Sequence, residues 1–366
     1  MNIVWFSWKD LSHPQSGGAE TVSGELMKNL TTHGHTVTLI TARYKNSSKH
    51  DTVDGLNIIR VGNRFTVYIA AGIHYLRYLK NKTDITIDEM NTIPFASGLY
   101  ARSTKRILLN YQLAREVWFY QMPFPLSLIG YLFEPIMLKI ISRSYDVVLT
   151  ESDSTRQDLR KFGFKNIHIF RVGMHLNPLS KLPSKHPSGK ILSLGAVRPM
   201  KRTLDAVKAF EIARDKNSTL SLTLAGDISS VYAVKVLTYI KQSRHCSAID
   251  VLGRVSTEDK TVLMRNTDVI LVTSIKEGWG LIVTEANSQG TPAITYDTDG
   301  LRDSVKNNIT GYLSKSGDYE AMGKLINKLI SDSTTYTSMR TKAWDYSKQF
   351  TFDNSYSDFS KAIDLD

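Results

Sequence analysis

The chain has 366 residues, 42% of them hydrophobic and 22% charged, with a formal net charge of +11. That length predicts two domains rather than one core, and the composition excludes a disordered or collagenous chain. Cys246 is the single cysteine, which excludes an intrachain disulfide framework and points to a reducing compartment.

The charge is unevenly spread. Residues 1–185 hold 23 Lys and Arg against 14 Asp and Glu, whereas residues 186–366 hold 23 against 21. A basic first half suits an anionic partner such as a membrane surface, a phospholipid-linked acceptor or nucleic acid, or else a plain solvated basic surface. Residues 2–6 read as a short strand without a basic flank or a long apolar core, so no signal peptide is expected.

A strand over 3–7, a loop over 10–17 and a helix from Gly18 carrying Val22, Leu26 and Leu30 lead to a strand over 36–41, a βαβ opening. The Gly17-Gly18 pair permits close backbone approach at the helix start. Further strands are expected over 58–61 and 85–87, with a helix over 68–79 between them. Asp88 and Glu89 follow the second of these on the ligand-side edge, where they either orient acceptor hydroxyls or cap the helix near Pro94. A strand and its loop occupy 107–112.

Residues 117–142 are the most lipophilic stretch, yet Pro123, Pro125, Glu134, Pro135 and Lys139 exclude a membrane span. Leu126, Ile129, Phe133, Ile136 and Ile140 share helical spacing. Packing on the sheet is the expected role, with an interfacial surface that meets lipid headgroups as the alternative. A strand over 146–150, a helix over 152–162 and a strand over 167–172 close the first half. The Pro-, Ser- and Lys-rich segment 176–189 reads as a linker.

The same grammar restarts with a strand over 191–195 and a helix over 203–215, with the basic loop Arg198-Pro199-Met200-Lys201-Arg202 between them. Strands over 220–227 and 249–253 precede an apolar run over 268–273, a buried parallel strand. This run turns through Glu277-Gly278-Trp279-Gly280 into a segment of helical spacing containing Leu281 and Glu285. A helix start offers unpaired N–H groups and a positive dipole end, so the turn is a phosphate seat. Glu285, one turn further, is placed to reach a ribose.

The turn with its second glutamate, followed by Gly290-Thr291-Pro292, Gly300-Leu301-Arg302, Gly311-Tyr312-Leu313 and Gly317-Asp318, resembles glycosyltransferase family 4. The resemblance implies a retaining, metal-independent hexosyltransferase of EC class 2.4. Its fold class would be α/β, GT-B, two Rossmann-like domains facing across a cleft. The domains would be 1–175 plus about 345–366, and 190–344, with the final helix crossing back to the first. The donor is a UDP- or GDP-linked sugar, and the acceptor a glycan or lipid-linked hydroxyl in cell-surface glycan, glycolipid or polysaccharide synthesis. No cofactor and no nucleic acid are implied. A cytoplasmic location follows, with the inner face of the cell membrane as a docking surface.

Carried onto this chain, the resemblance makes Glu277, Arg198 and Lys201 catalytic. Gly18, Arg254, Val255, Gly278, Trp279, Gly280, Leu281 and Glu285 join these three in holding the donor. The chain departs from the family in three places. Trp279 stands where Phe is usual, and Ala196 where Arg is usual, which makes Arg198 the substitute. Asn110, Tyr111 and Gln112 fill the stretch where many members carry a histidine. Tyr111 therefore joins Asp88 and Glu89 on the acceptor side. Asp297-Thr298-Asp299 mimics a metal-binding pair, but Arg198 and Lys201 already offer the charge that a diphosphate leaving group needs. The alternative function is nucleotide-sugar binding without turnover. A dinucleotide oxidoreductase is disfavoured, since no strand is followed by Gly-x-Gly-x-x-Gly.

Overall fold

The computed structural model describes residues 1–365, and in it the apolar runs become two sheets, each in its own unit. One unit comprises Met1–Gly173 and the segment from Thr351 onward; the other is Met174–Phe350.

The first unit opens with β1 (Asn2–Phe6), α1 (Gly18–Thr32), β2 (Thr36–Ala42), β3 (His50–Val53), β4 (Leu56–Val61) and α2 (Val67–Tyr78). It continues through β5 (Ile85–Met90), α3 (Ser97–Tyr100), β6 (Lys105–Asn110), α4 (Trp118–Gln121) and α5 (Leu126–Ile141) to β7 (Val147–Thr150), α6 (Asp153–Lys161) and β8 (Ile167–Ile169). The sheet order is β3-β4-β2-β1-β5-β6-β7-β8, parallel except for the β3–β4 pair. The steps β4→β5, β5→β6 and β6→β7 all advance one way across it, so right-handed crossovers put α2, α3 and α5 on one face. The step β1→β2 runs the other way and puts α1 on the opposite face.

The second unit holds β9 (Lys190–Leu194), α7 (Thr203–Arg214), β10 (Ser221–Ala225), α8 (Val231–Gln242), β11 (Ile249–Gly253) and α9 (Thr257–Asn266). Then come β12 (Val269–Val272), α10 (Leu281–Ser288), β13 (Ala293–Tyr296), α11 (Leu301–Ser304), β14 (Gly311–Ser314), α12 (Tyr319–Ser331) and α13 (Ser333–Ser347). Every pairing is parallel in the order β11-β10-β9-β12-β13-β14. Alternate residues of each strand feed two cores: Ile191, Val269 and Leu271 pack against α7 and α8, while Leu192, Ile270 and Val272 pack against α9 and α10. The order reverses between β9 and β12, and a crevice opens beyond strand ends at such a point.

The chain's last helix, α14 (Phe352–Ala362), belongs to the first unit. Phe359 stacks on Trp5 with ring centroids 6.0 Å apart, and Asp358 accepts from Arg171 Nε at 2.6 Å. Segment 176–189, read from composition as a linker, runs along the second unit. Leu179 N donates to Ser288 O at 3.0 Å, and Arg340 Nη1 to Pro183 O at 2.6 Å.

One expectation is overturned. Leu126, Ile129, Phe133, Ile136 and Ile140 do not pack on the sheet; all five are exposed, and α5 buries Ser127, Glu134, Leu138 and Ile141 instead. Helical spacing of apolar residues identifies a stripe but not the side from which it is covered.

Candidate active site

The loops after β9 and β12 meet at the switch point of the second sheet. Thr273 Oγ1 donates to the carbonyls of Lys201 and Arg202 at 2.7 and 3.0 Å, and Ile275 N donates to Met200 O at 3.0 Å. These bonds fix the basic loop against the glutamate turn. Lys201 Nζ then pairs directly with the Glu277 carboxylate, the two side chains being 27% and 18% exposed. A cavity of about 140 Å³ opens beside them, lined also by Gly195, Thr203, Ser274 and Ile282.

The turn itself depends on two glycines. Gly280 caps α10 at φ +91°, a left-handed conformation that side chains resist. Gly300 sits at φ +77°, and a Cβ there would come within 2.4 Å of Glu277 O and 2.6 Å of Gly278 O. Glu277 N donates to Asp299 O at 3.1 Å, tying the two loops together. Beyond Gly280, the N–H groups of Leu281 and Ile282 have no carbonyl within the helix to accept them, whereas Val283 N donates to Gly280 O at 2.8 Å. Such a helix start attracts an anion.

Glu285, one turn along α10, meets Lys260 Nζ at 2.7 Å. Arg254, at the end of β11, meets Asp227 at 2.8 Å, and that guanidinium helps hold the Asp227 carboxyl at about 2. Val255 follows it, half-buried. Arg198 is exposed and makes no ion pair among the described residues. Trp279 is buried with its ring 5.1 Å from Phe350, and its indole N–H has no partner among the described residues.

Lys276 was given no role from sequence, and Asp299 only that of a mimic metal ligand. They pair at 3.1 Å beneath the turn. Arg302 reaches Asp297 at 2.7 Å and Asp299 at 3.0 Å, so both carboxylates of the would-be metal pair are engaged by cations. Lys276 abuts Glu277 in sequence and was legible there, whereas the Lys260 partner of Glu285 lies 25 residues away and carried no local signal.

The remaining predicted residues lie in the first unit. Gly18 opens α1, directly after Gly17, whose N–H donates to Glu20 at 2.6 Å; Glu20 is held in turn by Lys9 at 2.9 Å. Asp88 does not present a group to an acceptor. It is fully buried and accepts from Phe95 N (3.0 Å), Ser97 N (2.9 Å) and the Tyr145 hydroxyl (2.5 Å), which makes it the organiser of the segment entering α3. Glu89 accepts from Trp5 Nε1 at 2.9 Å and Asn91 Nδ2 at 3.2 Å. Burial, with the nearby Glu20 carboxylate, pushes Glu89 up to about 7. The Tyr111 hydroxyl lies 2.6 Å from Ser23 Oγ, and burial pushes it well above its ordinary range. Glu89 and Tyr111 are therefore internal, and the acceptor-side assignment fits neither as a surface group.

Two family models cover nearly all of this arrangement: Glycosyltransferase Family 4 matches residues 16–177, and Glycosyl transferases group 1 matches residues 179–346. The chain belongs to the family 4-like glycosyltransferases. D-inositol 3-phosphate glycosyltransferase of Rhodococcus jostii is 25% identical over 235 residues, which are 59% of this chain and 51% of that protein. Across the first curated relatives it matches, the family 4-like chain spans between a quarter and about half of their length. Among solved structures, sucrose-phosphate synthase from Thermosynechococcus elongatus matches with a TM-score of 0.79 at 17% identity, covering 100% of this chain and 98% of that one. Anabaena HepE in complex with UDP-glucose matches at 0.73 and 15%, covering 100% of both. These likenesses establish the GT-B fold.

Proposed function

We propose that the protein transfers a hexose, with retention of configuration, from a UDP- or GDP-linked sugar to a hydroxyl of a glycan or lipid-linked acceptor in the cytoplasm. The observation that carries this reading is the juxtaposition of Lys201, Glu277 and the first turn of α10 at the switch point of the second sheet. The HepE structure contains UDP-glucose, which supports a nucleotide sugar as the donor.

The leaving diphosphate carries the charge that must be stabilised as the glycosidic bond breaks. In this reading it sits on the N–H groups that follow Gly280, with Lys201 and the free Arg198 as fixed cations and no metal required. Glu277 pairs with Lys201, so a diphosphate that takes over Lys201 releases the carboxylate toward the sugar. A negative charge there favours the oxocarbenium-like state. The acceptor enters on the same face as the departing diphosphate. Glu285, with Lys260, holds the ribose; Arg254, Val255 and Trp279 border the nucleotide.

The alternative, nucleotide-sugar binding without turnover, draws on the missing histidine and on Arg198 in place of the usual arginine. A thermal-shift panel of nucleotide sugars tests the shared part of both readings. A true donor at a hundred times its dissociation constant should add about 2.7 kcal/mol. If neither UDP- nor GDP-sugars shift the transition, both readings are wrong.

A further inference from the structure

Helix α5 is built inside out. Ile129, Leu132, Phe133, Ile136 and Ile140 are 52–62% exposed, while its only carboxylate, Glu134, is buried. Glu134 accepts from the backbone N–H groups of Ala114 and Arg115 at 2.8 and 2.7 Å, and from Trp118 Nε1 at 3.1 Å. Gly130 makes room for this inward side, because a Cβ there would lie 2.5 Å from the Trp118 ring. The helix thus spends its carboxylate against the protein and leaves this apolar stripe, with Lys139, uncovered.

Neighbouring helices on the same face of the sheet repeat the pattern. On α2, Ile69 and Ile73 are 71% and 60% exposed, with Leu76 a turn further along; on α3, Leu99 is exposed. Monomers seldom leave apolar patches larger than roughly a few hundred Å² uncovered without a function.

Charge selects the occupant. Arg64, Arg77, Lys139 and Arg143 are exposed cations on or beside α2 and α5; no exposed carboxylate stands on α2, α3 or α5 themselves, and Glu116, in the turn packed against α5, is the lone exposed acid of that turn. A second copy laid on this face would set cations against cations. A bilayer of acidic phospholipid supplies phosphates to those cations and an apolar boundary to the side chains between them. Arg64 and Arg77 lie over the rings of Phe65 and Tyr78 at 5.4 and 5.6 Å, pairings suited to headgroup depth. Among the described residues no helix is long and apolar enough to cross a membrane, so α5 would lie in the interface.

We propose that the outer face of α2, α3 and α5 docks on an anionic phospholipid surface. This face belongs to the first unit, and its test needs no turnover, so it stands or falls separately from the transfer reading.

The test is flotation of the full chain with phosphatidylglycerol vesicles and with phosphatidylcholine vesicles, at low and high salt. Binding to phosphatidylglycerol is expected, weakened by salt. Ile129→Ser with Phe133→Ser should cut it by about tenfold or more without lowering the melting temperature. Lys139→Glu with Arg143→Glu should cut it by about tenfold as well, and these exposed positions keep the test decisive if the apolar pair misfolds. A chain that stays in the soluble fraction, or binds equally well after both pairs of substitutions, overturns the proposal. So does a concentration-dependent dimer that Ile129→Ser with Phe133→Ser dissolves, since the face would then belong to a second copy.

Discussion

The Lys201–Glu277 pair lets the donor site be probed as a competition. Each is the other's partner, and both remain partly exposed. A diphosphate that binds at the turn must draw Lys201 away from the carboxylate. Lys201→Met removes a charge-assisted contact to phosphate, worth roughly 1.5–3 kcal/mol, which is about 10- to 150-fold in affinity. Glu277→Gln removes the competitor instead. A partly exposed ion pair is worth at most about 1 kcal/mol, so this variant should bind diphosphate as tightly as the parent, or up to about fivefold more tightly. The double variant should match Lys201→Met, because without the lysine there is nothing to compete for. Calorimetry with UDP and GDP on the four proteins closes the cycle. A Glu277→Gln protein that loses as much affinity as Lys201→Met would refute the competition. Arg198→Ala should also weaken binding, and unchanged affinity would remove that residue from the site.

Three further outcomes follow from named contacts. Glu285→Gln should raise the donor KM more than it lowers kcat, since hydroxyl contacts to ribose change little between ground and transition states; steady-state kinetics checks this, and a pure kcat loss would contradict it. Gly300→Ala should lower stability by at least about 2 kcal/mol, through its left-handed φ and the backbone oxygens of Glu277 and Gly278, and a melting scan reads the shift directly. Burial holds the Glu89 pKa at about 7 in the folded state, against an ordinary 4.5. The unfolded chain therefore gives up this proton first, and stability falls as pH rises from 4.5 to 7, by a few kcal/mol in all. Glu89→Gln should remove that slope and be the more stable protein at pH 8, as urea unfolding at pH 5 and pH 8 would record.

The second unit was the more legible half. Its strands are short apolar runs between turn signals, and the Glu277–Gly280 turn follows one of them directly, so local order along the chain carried the site. The Lys201–Glu277 pairing spans 76 residues, and only the reversal of strand order between β9 and β12 brings the two together. In the first unit the polar residues at strand ends read two ways, as acceptor groups or as a cap near Pro94, and for Asp88 the second holds. Asp88 and Glu89 sit where ligands bind in open sheets, but Asp88 is consumed by Phe95, Ser97 and Tyr145, and Glu89 by Trp5 and Asn91. Helix α5 was misread for a different reason. Its apolar spacing is periodic, but the one residue that decides its orientation is Glu134, whose partners Ala114, Arg115 and Trp118 lie 16 to 20 residues earlier.

Turnover is the central claim, and product analysis tests it most directly. The donor picked out by thermal shift is incubated with a hydroxyl acceptor, while free nucleoside diphosphate and the anomeric proton of the product are followed by NMR. Transfer with retention predicts nucleoside diphosphate released one for one with product, at the donor's own anomeric configuration, and a large loss of rate in Glu277→Gln. Donor binding without acceptor-dependent release, or a product of inverted configuration, would contradict it.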